Sequence, residues 1–212
     1  MNYYQDITLL PDADIALGFL WQKIYQQVHI ALVEQKIDEQ HSAIAVGFPD
    51  YGSKEFPLGA KLRLLAEQIE QLKQLNIEGY LTRFDDYVHI KSIKEVPENA
   101  SHVSFVRQKV KGQARIERDM QEKARLWSEK SGQPLEECLK QLEASKPTAS
   151  SKLPFIWLES QETKKRNPGS CAKFPLFINK IEQDKPLAGK YSCYGLSLQS
   201  PEGKETATIP NF

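Results

Sequence analysis

The spacing of apolar residues between Tyr3 and Val96 changes from alternation to a helical repeat and back, twice, and few chain plans satisfy that order. Tyr3–Leu10 reads as a strand. Pro11-Asp12 then turns the chain into a long helix from about Asp14 to Gln35, with Leu17, Leu20, Trp21, Ile24, Val28 and Leu32 on one face. Ala43–Phe48 and Lys61–Ala66 read as strands, Glu67–Leu75 as a short helix, and the alternating Tyr87–Val96 as a fourth strand stopped by Pro97. The order β-α-β-β-α-β is the split βαβ, or ferredoxin-like, plan, in which two helices cover one face of an antiparallel sheet.

Beyond Pro97 the pattern changes. A strand is expected near His102–Lys109, then a basic helix, a second helix near Pro134–Glu143 and a Ser/Lys/Pro linker over Ser145–Lys152. Three strands follow, at Leu153–Glu159, Phe174–Ile181 and Tyr191–Leu198. The expected fold class is α+β: a ferredoxin-like domain over residues 1–97, and over residues 98–212 an α/β region carrying the basic helix and a small antiparallel sheet.

Between Arg107 and Lys130 stand eight basic residues. At 100° per residue, Lys111, Arg115, Arg118 and Arg125 gather within about 80° of arc, with Ile116, Met120, Ala124 and Trp127 in a second arc opposite. Such a helix can bury one face and present a comb of cations to successive phosphates. Glu117, Asp119, Glu122 and Glu129 offset half of that charge, so a solvated helix with i,i+4 ion pairs would show the same pattern. The whole chain has 28 basic and 28 acidic residues, so a nucleic-acid partner has to be held by local patches rather than by net charge.

Cys138, Cys171 and Cys193 are odd in number and widely spaced, with no CxxC or Cys/His cluster, which points away from a disulfide framework or a zinc site and toward a reducing cytoplasm. No apolar run reaches the length of a membrane span, so no membrane partner is expected. No G-x-S-x-G elbow, H-E-x-x-H, carboxylate cluster or P-loop occurs, which removes the residues needed by serine hydrolases, metal nucleases and nucleotide hydrolases. Neither cofactor nor metal is expected. An RNP1-like run is also missing, so stacking of RNA on the sheet face has little support. His29 stands at the edge of the first helix's apolar face, where an imidazole is half-desolvated yet reachable; the same place suits simple amphipathic packing. Metal-free acid–base chemistry remains. RNA suits it, because its own 2′-hydroxyl attacks the neighbouring phosphate once a base removes the proton.

Several stretches carry a resemblance. They are Tyr3-Tyr4-Gln5-Asp6-Ile7 with Leu10-Pro11-Asp12, then Val28-His29-Ile30-Ala31-Leu32-Val33 and Ala45-Val46-Gly47-Phe48-Pro49. Later come Leu153-Pro154-Phe155, Ser160-Gln161-Glu162-Thr163, Phe174-Pro175-Leu176-Phe177-Ile178, Ser192-Cys193-Tyr194-Gly195-Leu196-Ser197 and Ile209-Pro210-Asn211-Phe212. In this order the chain resembles the repeat-processing endoribonuclease of type I-F CRISPR systems, the Csy-type family, nearly end to end.

The resemblance implies His29 as the base for the 2′-hydroxyl, Ser160 as the restraint on the ribose, and Tyr194 as the residue orienting histidine and scissile phosphate. It implies cleavage at the 3′ base of a CRISPR repeat stem-loop, giving 5′-hydroxyl and 2′,3′-cyclic phosphate ends. The hairpin then stays bound beside other subunits of a type I-F crRNA-guided surveillance complex. Arg115, Arg118 and Arg125, with Lys111 at the entrance, match the helix that enters the RNA major groove; Arg107 and Lys109 fall nearest the segment that reads the lower stem. Of these two, arginine is the bidentate reader of guanine. Phe174 matches an aromatic that stacks on the terminal base pair, although a strand start also suits plain core, and Thr163 closes the serine motif as a further RNA contact. The chain departs from the family pattern in its sparser arginines, in Glu162 beside the serine, and in a longer Lys164–Ser170 loop. A non-catalytic hairpin-binding subunit is the alternative these residues leave open.

Overall fold

The structure, a computed structural model, describes residues 1–110, 113–143, 153–160, 163, 166–167, 169, 172–199 and 205–212, with backbone alone at 113 and 114. The fold is mixed α/β. In chain order it comprises β1 (Tyr3–Leu9), α1 (Leu17–Glu34), β2 (His41–Ser42), β3 (Ala45–Gly47), β4 (Lys61–Ala66), α2 (Ile69–Leu75), α3 (Ile77–Leu81), a 3₁₀ segment (Thr82–Tyr87), β5 (Val88–Ile90) and β6 (Lys94–Glu95). These are followed by β7 (Ser101–Gln108), α4 (Gln113–Ser131), α5 (Leu135–Glu143), β8 (Phe155–Glu159), β9 (Lys173–Gln183), β10 (Tyr191–Ser192) and β11 (Ile209–Asn211). The chain forms two compact units, Met1–Gln108 with Pro154–Phe212, and Lys109–Leu153; residue 97, where the sequence pattern changes, falls inside the first.

In the first unit one sheet runs β3-β4-β1-β5, all neighbours antiparallel, with β6 also on β1. Both faces of this sheet are covered, and β4 is buried at every position from Leu62 to Ala66, Arg63 included. Register places Gln5, Ile7, Leu62 and Leu64 on one face. Seven α1 residues, Leu20, Trp21, Ile24, Tyr25, Val28, Ala31 and Leu32, are buried in the same core. The other face carries Tyr4, Leu65 and a buried pair: Arg63 Nε donates to Asp6 Oδ1 at 2.7 Å and Nη2 to Oδ2 at 3.0 Å. Arg63 also donates to the backbone oxygen of Phe212 at 2.9 Å, and its guanidinium sits 3.8 Å from the Phe212 ring centroid.

A second antiparallel sheet runs β11-β7-β9-β8 and buries Val103, Phe105, Ile156, Leu158, Leu176 and Ile178. Phe48, at the end of β3, joins the two cores, edge-on to Phe105 at 5.1 Å and tilted on Trp21 at 5.6 Å. Helix α1 therefore packs on the first sheet with its buried seam while its flank meets β8 of the second. In the other unit α4 packs on α5, with Ile116, Ala124 and Cys138 buried and Met120 half-buried. Trp127, expected in the buried arc, remains 36% exposed.

Three expectations are corrected. The first helix starts at Leu17 rather than Asp14, because the Asp12 carboxylate accepts the Asp14 and Ile15 N–H groups and holds those residues in a turn. The single strand Tyr87–Val96 is β5 and β6, whose pairing with β1 slips by one residue between Ile90↔Ile7 and Lys94↔Tyr4; one extra residue makes a bulge there. The strand expected over Tyr191–Leu198 ends at Ser192, after which the chain makes a tight turn. The linker expected at Ser145–Lys152 and, in the Lys164–Ser170 loop, residues 164, 165, 168 and 170 lie outside the described residues. Among the described residues no helix is long and apolar enough to cross a membrane.

Candidate active site

A cavity of about 540 Å³ opens where α1, the end of β8, the start of β9 and the turn after β10 meet. His29, Ser160, Phe174 and Tyr194 all line it. His29 follows the fully buried Val28 on α1, so its backbone is fixed by the core while its ring reaches the cavity. Nδ1 lies 2.9 Å from the carbonyl oxygen of Cys193. A carbonyl only accepts, so Nδ1 carries the proton and the neutral ring keeps its lone pair on Nε2. Burial pushes the imidazole below its ordinary value, outweighing the opposite pull of that carbonyl. The ring is thus set as a neutral base at pH 7.

The Tyr194 ring stacks on His29 at 4.4 Å and 12°. It is held there by its turn: Gly195 takes φ +70°, Gly195 N–H donates to Ser192 O at 2.7 Å, and Ser192 N–H to Leu196 O at 2.8 Å. Glycine is required at this φ, and a Cβ would also run into Val46, whose N–H donates to Gly195 O at 2.8 Å. Tyr25, fully buried on α1, donates its hydroxyl to Tyr194 O at 2.9 Å. Burial, with Tyr194 adding to it, pushes the Tyr25 phenol up, so it stays a donor at any physiological pH. Burial also raises the Cys193 thiol, which is therefore a poor nucleophile beside the histidine.

Ser160 follows β8, its N–H donating to Ala172 O at 2.9 Å. Its Oγ accepts from Thr163, from the N–H at 3.2 Å and the hydroxyl at 2.9 Å, so these two contacts do not use the serine's own proton. Gln26 on α1 closes on the preceding residue: Glu159 N–H donates to its Oε1 at 2.8 Å, and its Nε2 donates to Glu159 O at 3.4 Å. Phe174 meets Tyr194 edge-on at 6.4 Å and 77°. The Arg107 guanidinium lies 5.5 Å from the Phe174 centroid and 5.3 Å from that of Tyr194. Glu34, Lys36, Glu39 and Glu159 complete the charged part of the wall.

The structure therefore brings together six of the sequence-predicted residues: His29, Ser160, Thr163, Tyr194, Phe174 and Arg107. Lys109, Arg115, Arg118 and Arg125 belong to the second unit and are exposed; Arg125 donates to Glu129 at 3.1 Å, the i,i+4 pair of an ordinary solvated helix. Lys111, Gln161, Glu162, Lys164, Lys165 and Cys171 lie outside the described residues. Among the described residues no group of three His, Cys, Asp or Glu side chains converges as metal ligands would. Sequence reasoning missed Gln26, Lys36 and the hydroxyl role of Tyr25. Gln26 had one usable signal, standing three residues before His29 and so on the same flank of the helix.

The Cas_Csy4 family model, described as CRISPR-associated protein, matches residues 4–212. The chain is 26% identical, over 198 residues, to the CRISPR-associated endonuclease Cas6/Csy4 of Pseudomonas aeruginosa (strain UCBPP-PA14), covering 93% of this chain and 96% of that relative. It is 27% identical over 215 residues to the protein of the same name from Escherichia coli (strain UTI89 / UPEC), covering 100% of each.

Proposed function

The chain belongs to the Csy4 family of CRISPR-associated proteins, and from that we propose that it is a metal-independent endoribonuclease of CRISPR repeat RNA. The observation that carries this reading is the His29 ring, oriented by Cys193 O, stacked by Tyr194 and sharing one cavity with Ser160. In this scheme Nε2 takes the 2′-hydroxyl proton, the 2′-oxygen bonds to phosphorus, and the bond from phosphorus to the 5′-oxygen breaks. A 2′,3′-cyclic phosphate forms on one side, and the departing oxygen takes a proton and becomes a 5′-hydroxyl. Ser160 holds the ribose through its hydroxyl, Tyr194 keeps the imidazole and phosphate in line, and Phe174 stacks on the terminal base pair.

Arg107 and Lys109 read the lower stem, and Arg115, Arg118 and Arg125, with Lys111, grip phosphates. The cleaved hairpin stays bound as part of a type I-F surveillance complex in the cytoplasm. Two structural parts fit this reading: the β3-β4-β1-β5 order, which is what the ferredoxin-like plan requires of residues 1–97, and the basic helix carried in residues 98–212.

A second reading, binding without cleavage, draws support from Glu34, Glu39 and Glu159 on the cavity wall, since carboxylates repel a scissile phosphate. One experiment separates the two. The protein is incubated with a repeat hairpin in EDTA, and products are assayed for 5′-hydroxyl and cyclic phosphate ends. Cleavage is expected, and His29→Ala is expected to lower its rate by about 10² or more with hairpin affinity nearly unchanged. A bound, uncut hairpin overturns the nuclease reading.

A further inference from the structure

We infer that Gln26 is a positioning residue for cleavage, acting through Ser160; the inference rests on the nuclease reading above. Ser160 and His29 approach the cavity from different elements, one from the end of β8 in the second sheet and the other from α1 on the first. Chain connectivity does not set their separation, because 130 residues lie between them. Gln26 does so by a two-point contact. Its side-chain amide meets both the N–H and the carbonyl of Glu159, at 2.8 and 3.4 Å, one residue before Ser160 and three residues before His29 on the helix.

Glu159 pairs with Lys173 of β9 at the end of the β8 ladder, so the segment before Ser160 is tied to β9 by the ladder and to α1 by the Gln26 amide. A primary amide is suited to this contact because it offers one acceptor and donors on a single rigid plane. Hydrophobic packing alone would hold α1 near β8 but would not fix its register, and an error of about 1 Å between a base and the group restraining its substrate is enough to cost about 10²-fold in rate.

The test is a double-mutant cycle on the full chain, with single-turnover cleavage and equilibrium binding of a repeat hairpin as paired readouts. Gln26→Met keeps the length and packing of the side chain and deletes both hydrogen bonds. It is expected to slow cleavage about tenfold while leaving the hairpin Kd within about twofold. In a Ser160→Ala background the same change should alter the rate less than about twofold, because the group being positioned is gone. Gln26→Glu, which keeps the acceptor for the Glu159 N–H, should recover part of the lost rate. Wild-type cleavage at Gln26→Met would overturn the inference, as would an equal further loss in the Ser160→Ala background. If the unaltered chain does not cut, the nuclease reading has failed instead. Amide hydrogen exchange at Glu159, faster in Gln26→Met, then still reports whether the contact exists.

Discussion

The protonation state of one imidazole governs the proposed chemistry, and its environment gives the direction of the pH response. His29 in the folded chain titrates below the ordinary value of 6.5, with desolvation the main cause. A base works when neutral, so kcat/KM should be flat at and above neutral pH and fall on acidification through a midpoint lower than that of a free histidine. A midpoint above 6.5 in a pH–rate profile would contradict this. The same shift bears on stability. The folded chain holds this proton more weakly than the unfolded one, so the contribution is complete above the ordinary value and is lost as pH falls through the folded one.

His29 was legible in the sequence because a polar residue at the margin of an apolar arc shows up in a helical projection. Its orienting partner was not. A backbone oxygen has no side-chain signature, and the turn that aims it is visible only as Gly195, one glycine among 11.

At the scale of elements, the buried Asp6–Arg63 pair decides how the C-terminal strand sits on the first sheet. Arg63 spans both, bonding Asp6 on β1 and the backbone of Phe212 beyond β11, with the Tyr4 ring 4.7 Å and the Phe212 ring 3.8 Å from its guanidinium. Removing one partner leaves a charge in a site where both side chains are under 10% exposed. Arg63→Ala is expected to cost about 3–5 kcal/mol in urea unfolding, whereas replacing both residues with apolar ones of similar size should cost less. Equal losses in the single and double variants would show the pair to be an incidental contact.

Sequence patterning located β1, β4 and α2 to within a residue or two, since each alternates or repeats without interruption. It did not locate the Asp6–Arg63 pair, which exists only once register sets position 6 against 63. Nor did it find the bulge between β5 and β6, although the alternation slips there, from Val88 and Ile90 to Ile93. The mixing of strands and helices could be read from period changes alone, but the turn at 193–196 could not, since Tyr191–Leu198 has the composition of a strand.

For the molecule as a whole, equal numbers of acidic and basic residues mean that RNA affinity depends on where charge is placed. The exposed Arg115 and Arg118 are carried by the unit Lys109–Leu153, whereas His29, Ser160 and Tyr194 belong to the other. Binding and cleavage should therefore respond to different substitutions. Changing both arginines to Gln should reduce the slope of log affinity against log salt by nearly two units, about 0.9 per phosphate contact. The single-turnover rate at saturating protein should stay within about threefold of the original. A large fall in that rate, with the salt slope unchanged, would refute the assignment of those arginines to phosphate.

The hold on the imidazole has an evolutionary reading. An orienting aspartate can be lost through a single codon change, but the oxygen that fixes this ring belongs to the main chain at Cys193 and persists whatever side chain is encoded there. Heritable variation can disturb it only by altering the path of the loop, through Gly195 or the tyrosine that tethers the loop. A lineage of such proteins can thus drift far in spelling around position 193 and still inherit the same oriented imidazole.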